Sequence, residues 1–222
     1  SACLVGSEMC IRDRLTEENV KYCTNAIKKL KYKDGSFTQP LNKIYSVKQN
    51  QEILGVPESV RKYLIDIFYN HDFIDSVYCP NRISVNFYNK YQKDDFYDLH
   101  VDSFRATPKS NNVYFDYGFS INLTDKYEGG EFFLQTEVGP MSFKLASGEA
   151  AVFPIIYPHG VNKVTSGIRE NILGWFSSNV SYEQSFILKN LYDVQAHLKE
   201  KNKEKFVQTT LVQSYLKKAW GK

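Results

Sequence analysis

Two spacings of apolar residues alternate along the chain, and they divide it into helical ends and a strand-rich middle. From Thr16, Val20, Cys23, Ile27 and Leu30 recur every three or four residues, which on a helix gathers them on one face. Glu17 and Glu18 fall in the first turn, where negative charge complements the helix dipole. Asp34-Gly35-Ser36 interrupts this pattern. A second helix is expected from Pro57, a residue type suited to a first helical turn. Val60, Leu64, Ile67 and Phe68 form its buried stripe, and His71-Asp72 close it.

From about Asn81 the period shortens to two. Ile83, Val85 and Phe87 alternate with polar neighbours, as in a half-buried strand. Further strands are expected over 113–124, 131–135, 141–145, 150–153, 159–164 and 171–178, punctuated by Gly129-Gly130 and Ser147-Gly148. Short strands at regular spacing with glycine turns predict a double-sheet jelly roll. Helical spacing returns with Phe186, Leu188, Leu191, Val194 and Leu198, and again with Leu211, Tyr215, Leu216 and Trp220. Residues 199–205 alternate in charge, which reads as a solvated helix end or loop. The expected fold class is mainly β with flanking helices (α+β), in one domain over 15–222. Residues 1–14 fit neither pattern and are set aside as a disordered or artefactual tail.

Composition narrows the partners. A chain of 222 residues can bury a core of its own. Its 15% aromatic content favours a large sheet. A net charge of +3 is too small to argue for nucleic acid. No apolar run has the length needed to cross a bilayer, so no membrane partner is expected. The four cysteines (Cys3, Cys10, Cys23 and Cys79) form no CxxC pair. Free, reduced thiols in a cytoplasmic protein are expected.

The candidate chemistry begins at His100-Val101-Asp102. On an extended segment, side chains two residues apart project to one side, so an imidazole and a carboxylate would point together. His159, after Phe153-Pro154, is the candidate third ligand. Two histidines and one carboxylate on one face of a metal leave three positions open, the arrangement of non-haem Fe(II) oxygenases. A four-coordinate structural zinc site would leave none. Arg169 lies ten positions after His159 (169 − 159 = 10), with Ser166-Gly167 as a turn between them. Neighbouring antiparallel strands would then carry both inward. A buried Arg needs a negative partner. Asp125 and Glu131 could provide it, and so could the carboxylate of a co-substrate, which Arg can grip with two parallel hydrogen bonds. His71 and His197 read as surface or helix-end residues without function.

Taken together, Tyr88-Asn89-Lys90-Tyr91, His100-Val101-Asp102, Tyr127-Glu128-Gly129-Gly130-Glu131-Phe132, Gly148, Phe153-Pro154, His159, Val161, Val164, Gly167, Arg169 and Trp175 resemble the prolyl 4-hydroxylase-like 2-oxoglutarate/Fe(II) oxygenases, and within them the PKHD-type hydroxylases. The resemblance implies a double-stranded β-helix with His100, Asp102 and His159 on iron and Arg169 on the distal carboxylate of 2-oxoglutarate. It implies a dioxygenase that uses O2 and 2-oxoglutarate to hydroxylate an unactivated C–H bond, of a prolyl residue in a peptide or protein, or else of a free amino acid or small metabolite. The alternative from another class is a non-catalytic jelly-roll binding module, against which the intact triad and Arg169 argue. Tyr91 matches a tyrosine whose hydroxyl helps bind the co-substrate, with a core aromatic as the other reading. Asn122 falls where a co-substrate neighbour occurs. Trp175 reads as packing beside the site, and Glu131 as a structural turn residue. The segment 92–96 and the loop containing Arg105 and Lys109 depart from the relatives' pattern, which leaves the substrate open. Oligomeric state is also open.

Overall fold

The computed structural model describes residues 9–11, 15–38, 46–103 and 114–220. The N-terminal part runs β1 (Met9–Ile11), α1 (Glu17–Ile27), β2 (Lys33–Asp34), β3 (Lys48–Gln49), β4 (Gln51–Leu54), α2 (Glu58–Tyr69) and α3 (Asp72–Tyr78). The strand-rich middle is β5 (Pro80–Tyr91), β6 (Phe96–His100), β7 (Tyr117–Asn122), β8 (Tyr127–Gly129), β9 (Phe132–Thr136), β10 (Gly139–Phe143), β11 (Ala150–Pro154), β12 (His159–Val161), β13 (Val164–Gly167) and β14 (Arg169–Ser178). Helices α4 (Tyr182–Leu198) and α5 (Lys203–Ala219) end the chain. Among the described residues no helix is long and apolar enough to cross a membrane.

Three antiparallel sheets result. Seven strands pair in the order β1-β11-β7-β14-β5-β4-β2, five in the order β10-β9-β12-β6-β3, and β13 pairs with β8. The two large sheets make the jelly-roll core expected from the strand spacing. Three residues of the stretch set aside, Met9–Ile11, pair with β11.

The helices form where the sequence places them. Thr16 caps α1 reciprocally: its hydroxyl accepts from Asn19 N–H (3.2 Å), and Asn19 Oδ1 accepts from Thr16 N–H (2.8 Å). The expected closure of α2 at His71-Asp72 is corrected. α2 stops at Tyr69, and His71 caps the new helix α3, its Nδ1 accepting from Ile74 N–H at 3.4 Å. The residue therefore serves a helix start, not a helix end.

Inside the seven-stranded sheet the usual polarity is reversed. Val85, Tyr88, Phe119, Ile121, Ile172 and Phe176 pack in one cluster with Cys23, Val60, Leu64 and Phe68 of α1 and α2. The alternate, polar positions point into the jelly roll. Glu52, Asn89, Asn171 and Asn122 stand in register across β4, β5, β14 and β7, all buried. Phe87 does not share a face with Ile83 and Val85 as the alternation suggests. The β5–β14 register pairs Leu173 with Phe87 but Gly174 with Val85, so Asn86 is an extra residue. Such a bulge re-aims the side chain after it, and Phe87 turns to the interior, 5.7 Å from the Trp175 ring.

Candidate active site

Strand register brings the three candidate ligands together. His159 opens β12 and pairs directly with His100, the last residue of β6. Asp102 lies two residues beyond β6, and Val101 between them is exposed. His100 Nε2 is 3.6 Å from Asp102 Oδ1, and His159 Nε2 is 3.6 Å from Asp102 Oδ2. The three ligand atoms lie within 4.8 Å of one another. Each imidazole is fixed from behind. His100 Nδ1 is 2.9 Å from Asp98 O, and His159 Nδ1 is 3.0 Å from Tyr157 O. A ring that donates from Nδ1 keeps the Nε2 lone pair for a metal.

Packing fixes the ring planes as well. Tyr97 stacks on His100 at 3.6 Å, and Phe153 lies 4.6 Å from His159. Gly160 permits this crowding, since a Cβ there would stand 2.5 Å from Tyr97 O and from the Phe133 ring. Burial pushes the His159 pKa down to about 4, against the pull of Asp102, so the imidazole is neutral and free to ligate. Burial alone would raise Asp102, but the two imidazoles and a Trp175 N–H bond hold it below the usual carboxylate range. Trp175 Nε1 donates to Asp102 Oδ2 at 2.7 Å. Trp175, read from sequence as packing, is thus bonded to a candidate ligand.

The inward placement of His159 and Arg169 holds, but not on neighbouring strands. β12 belongs to the five-stranded sheet and β14 to the seven-stranded one, so the two buried residues come from different sheets. Arg169 is 1% exposed. It has no carboxylate partner among the described residues: Nη1 donates to Asn171 Oδ1 at 2.8 Å, the Tyr127 hydroxyl bonds the guanidinium, the Tyr91 ring lies 5.3 Å away, and Nε has no hydrogen-bond partner. Neither Asp125 nor Glu131 pairs with it. Asp125 accepts from Ser147 N–H, and Glu131 accepts from Asn162. A buried guanidinium without a counter-charge is costly, and a free Nε–H marks where an acceptor fits. Gly130, at φ +65°, leaves room beside it: a Cβ there would stand 3.2 Å from Arg169 Cδ.

Tyr91 is fully buried and lines the cavity beside the candidate ligands, as Asn171 does, whereas Arg169 lies behind them and does not line it; burial raises the Tyr91 hydroxyl pKa. Asn122 is buried but stands off the cavity, its amide donating to Thr124 O and Leu145 O, with Oδ1 left unpartnered. His197 lies on the exposed side of α4. The loop with Arg105 and Lys109 falls outside the described residues.

The cavity holds about 260 Å³. One wall is aromatic, with Phe87, Phe115 and Trp175. The other carries Lys48 and Thr38, residues sequence reading missed. Lys48 makes a buried ion pair with Glu52, bonds Thr38 Oγ1 at 2.8 Å and lies 4.9 Å over the Tyr97 ring.

Residues 83–177 match the family model of the 2OG-Fe(II) oxygenase superfamily. A PKHD-type hydroxylase of Idiomarina loihiensis is 30% identical over 79% of this chain and 81% of its own length. Two solved structures share the fold. A Pseudomonas putida prolyl-4-hydroxylase has a TM-score of 0.56 at 16% identity, over 78% of this chain and 92% of that one. A Trichoplax adhaerens prolyl hydroxylase, solved with a peptide fragment of hypoxia inducible factor, has a TM-score of 0.59 at 14% identity, over 78% and 84%. The chain belongs to the 2OG-Fe(II) oxygenase superfamily, among its PKHD-type hydroxylases. It is a dioxygenase that works with iron(II) and 2-oxoglutarate.

Proposed function

We propose that this enzyme hydroxylates a prolyl residue within a peptide or protein, with His100, Asp102 and His159 as the iron ligands and Arg169 as the anchor of 2-oxoglutarate. The observation that carries the substrate reading is the wall of Phe87, Phe115 and Trp175 beside Asp102. It offers an apolar ring a face to lie on and gives a charged group no partner. The buried charges point the same way. Iron(II), Asp102, the 2-oxoglutarate dianion and Arg169 neutralise one another, and Lys48 and Glu52 cancel. A charged substrate group would enter without compensation, at a cost. The PKHD-type relative and the two prolyl hydroxylase folds support the same substrate class.

Each side chain then has a task. His100 and His159 present their Nε2 atoms, and Asp102 adds one negative charge, its angle set by the Trp175 N–H. Arg169, oriented by Asn171, takes the far carboxylate of the co-substrate, and the Tyr91 hydroxyl is placed to add a hydrogen bond. The apolar lining excludes water from the reacting centre. Iron with 2-oxoglutarate and O2 supplies the oxidation: the co-substrate becomes succinate and carbon dioxide, and one oxygen atom enters the C–H bond.

The test is incubation of the iron-loaded enzyme with proline-containing peptides, followed by fragment mass spectrometry and succinate assay. One added oxygen on a prolyl ring, in step with succinate, is the expected result. Turnover of a free amino acid or other small metabolite with no peptide product would overturn the substrate reading and leave the metal assignment standing.

A further inference from the structure

α5 is built inside out. Along its 17 residues the less exposed side carries Phe206, Thr209, Gln213, Leu216 and Trp220, and only Gln213 is buried. Polar bonds dominate the attachment: Gln195 Nε2 donates to Gln213 Oε1 (3.2 Å), Gln213 Nε2 to Ser76 O (3.2 Å) and Lys217 Nζ to Asp75 O (3.1 Å). The opposite side is apolar and uncovered, with Val207, Leu211 and Tyr215 exposed to 47%, 54% and 71%. These positions are four residues apart, so they form one stripe over two turns. The sequence pattern groups Leu211 and Tyr215 with Leu216 and Trp220 in a final helix; the structure turns Leu211 and Tyr215 outward. Helices in proteins owe most of their stability to the packing of an apolar face, and among the described residues nothing covers this one.

The stripe is symmetric about its centre. Val207 lies four residues before Leu211 and Tyr215 four after (211 − 207 = 215 − 211 = 4). Glu204 lies seven before it and Lys218 seven after (211 − 204 = 218 − 211 = 7). Both charged residues are exposed. Two copies of α5 laid antiparallel about a two-fold axis at Leu211 would set Leu211 on its counterpart. Each Val207 would meet Tyr215 of the second copy, and each Glu204 would meet Lys218. A parallel pairing would set Glu204 on Glu204 and Lys218 on Lys218, like charge on like. A two-fold interface must be self-complementary, and this surface is so in one orientation only. We infer that the outer face of α5 is a homodimer interface, in which two copies of this chain pair their last helices antiparallel around Leu211.

The experiment is sedimentation equilibrium of the full, iron-loaded chain over a range of concentrations. Wild type should dimerise. Leu211→Glu should be monomeric, with the melting temperature of wild type diluted below its dimer constant, because its side chain is half in water already and only the association is lost. Glu204→Lys and Lys218→Glu should each weaken the dimer by about tenfold, since each reversal spoils two symmetry-related contacts. The double reversal should restore the wild-type constant, because the opposite charges meet again. A wild type monomeric at every concentration would overturn the inference. So would a dimer indifferent to Leu211→Glu, or charge reversals without mutual rescue.

Discussion

Asp102 is the residue on which the candidate metal site turns, and it is held from three sides. Two imidazoles face it at 3.6 Å and the Trp175 N–H reaches it at 2.7 Å. Asp102→Ala should abolish succinate formation in a folded protein. Trp175→Phe keeps the aromatic wall and removes only the hydrogen bond. It should weaken iron(II) binding by about 10- to 100-fold, the usual effect of losing a group that orients a ligand, measured by competition with a metal-sensitive dye. His159 makes a pH prediction. Burial lowers its pKa to about 4 from an unfolded value of 6.5. Between these values the unfolded chain binds a proton that the folded one refuses, so stability falls as pH falls through that window. The metal-free protein should lose melting temperature from pH 6.5 toward 4, and His159→Gln should flatten the slope. The sequence showed these ligands because a histidine and an aspartate two apart on an extended segment are legible without a fold. The Trp175 bond spans 73 positions and depends on how strands are curved, and nothing local announces it.

At the scale of elements, the pattern located most strands and helices but misjudged what the strands turn toward. Alternation says which residues share a face, not which face meets the core. Here the apolar set of β5, β7 and β14 meets the helices, and the polar set meets the cavity. The bulge at Asn86 breaks the alternation altogether. β3 and β4 were missed because they are two and four residues long. Lys48 and Glu52 therefore went unread in the sequence, whereas two short strands fold them together at the barrel wall with side chains 6% and 1% exposed. Removing one partner of a buried pair strands the other charge. Lys48→Met should cost about 3–5 kcal/mol of stability, and Lys48→Met with Glu52→Leu should cost less than either single change. Equilibrium unfolding in urea reads both. A double variant as unstable as the sum of the singles would show that the pair acts independently.

For the whole molecule, the architecture sets a buried carboxylate, Asp102, between two imidazoles at the end of one sheet, and a buried guanidinium, Arg169, without a carboxylate partner on the other. On the proposed assignment iron(II) would answer the first and 2-oxoglutarate the second, so that binding of both would tie the two sheets together. Binding to the folded state alone must then raise its stability by mass action. At ligand concentrations near a hundred times Kd the gain is about 2.7 kcal/mol, or roughly 5–10 °C for a chain of this size. Under anaerobic conditions, 2-oxoglutarate added to the iron-loaded protein should raise the melting temperature by that amount and bring up a weak visible charge-transfer band. Arg169→Met should keep the shift due to iron and lose the increment due to 2-oxoglutarate, because its long apolar side chain fills the space without supplying the charge. A variant that retained the full increment would place the co-substrate's far carboxylate elsewhere in the cavity, with Lys48 as the remaining cation on its wall.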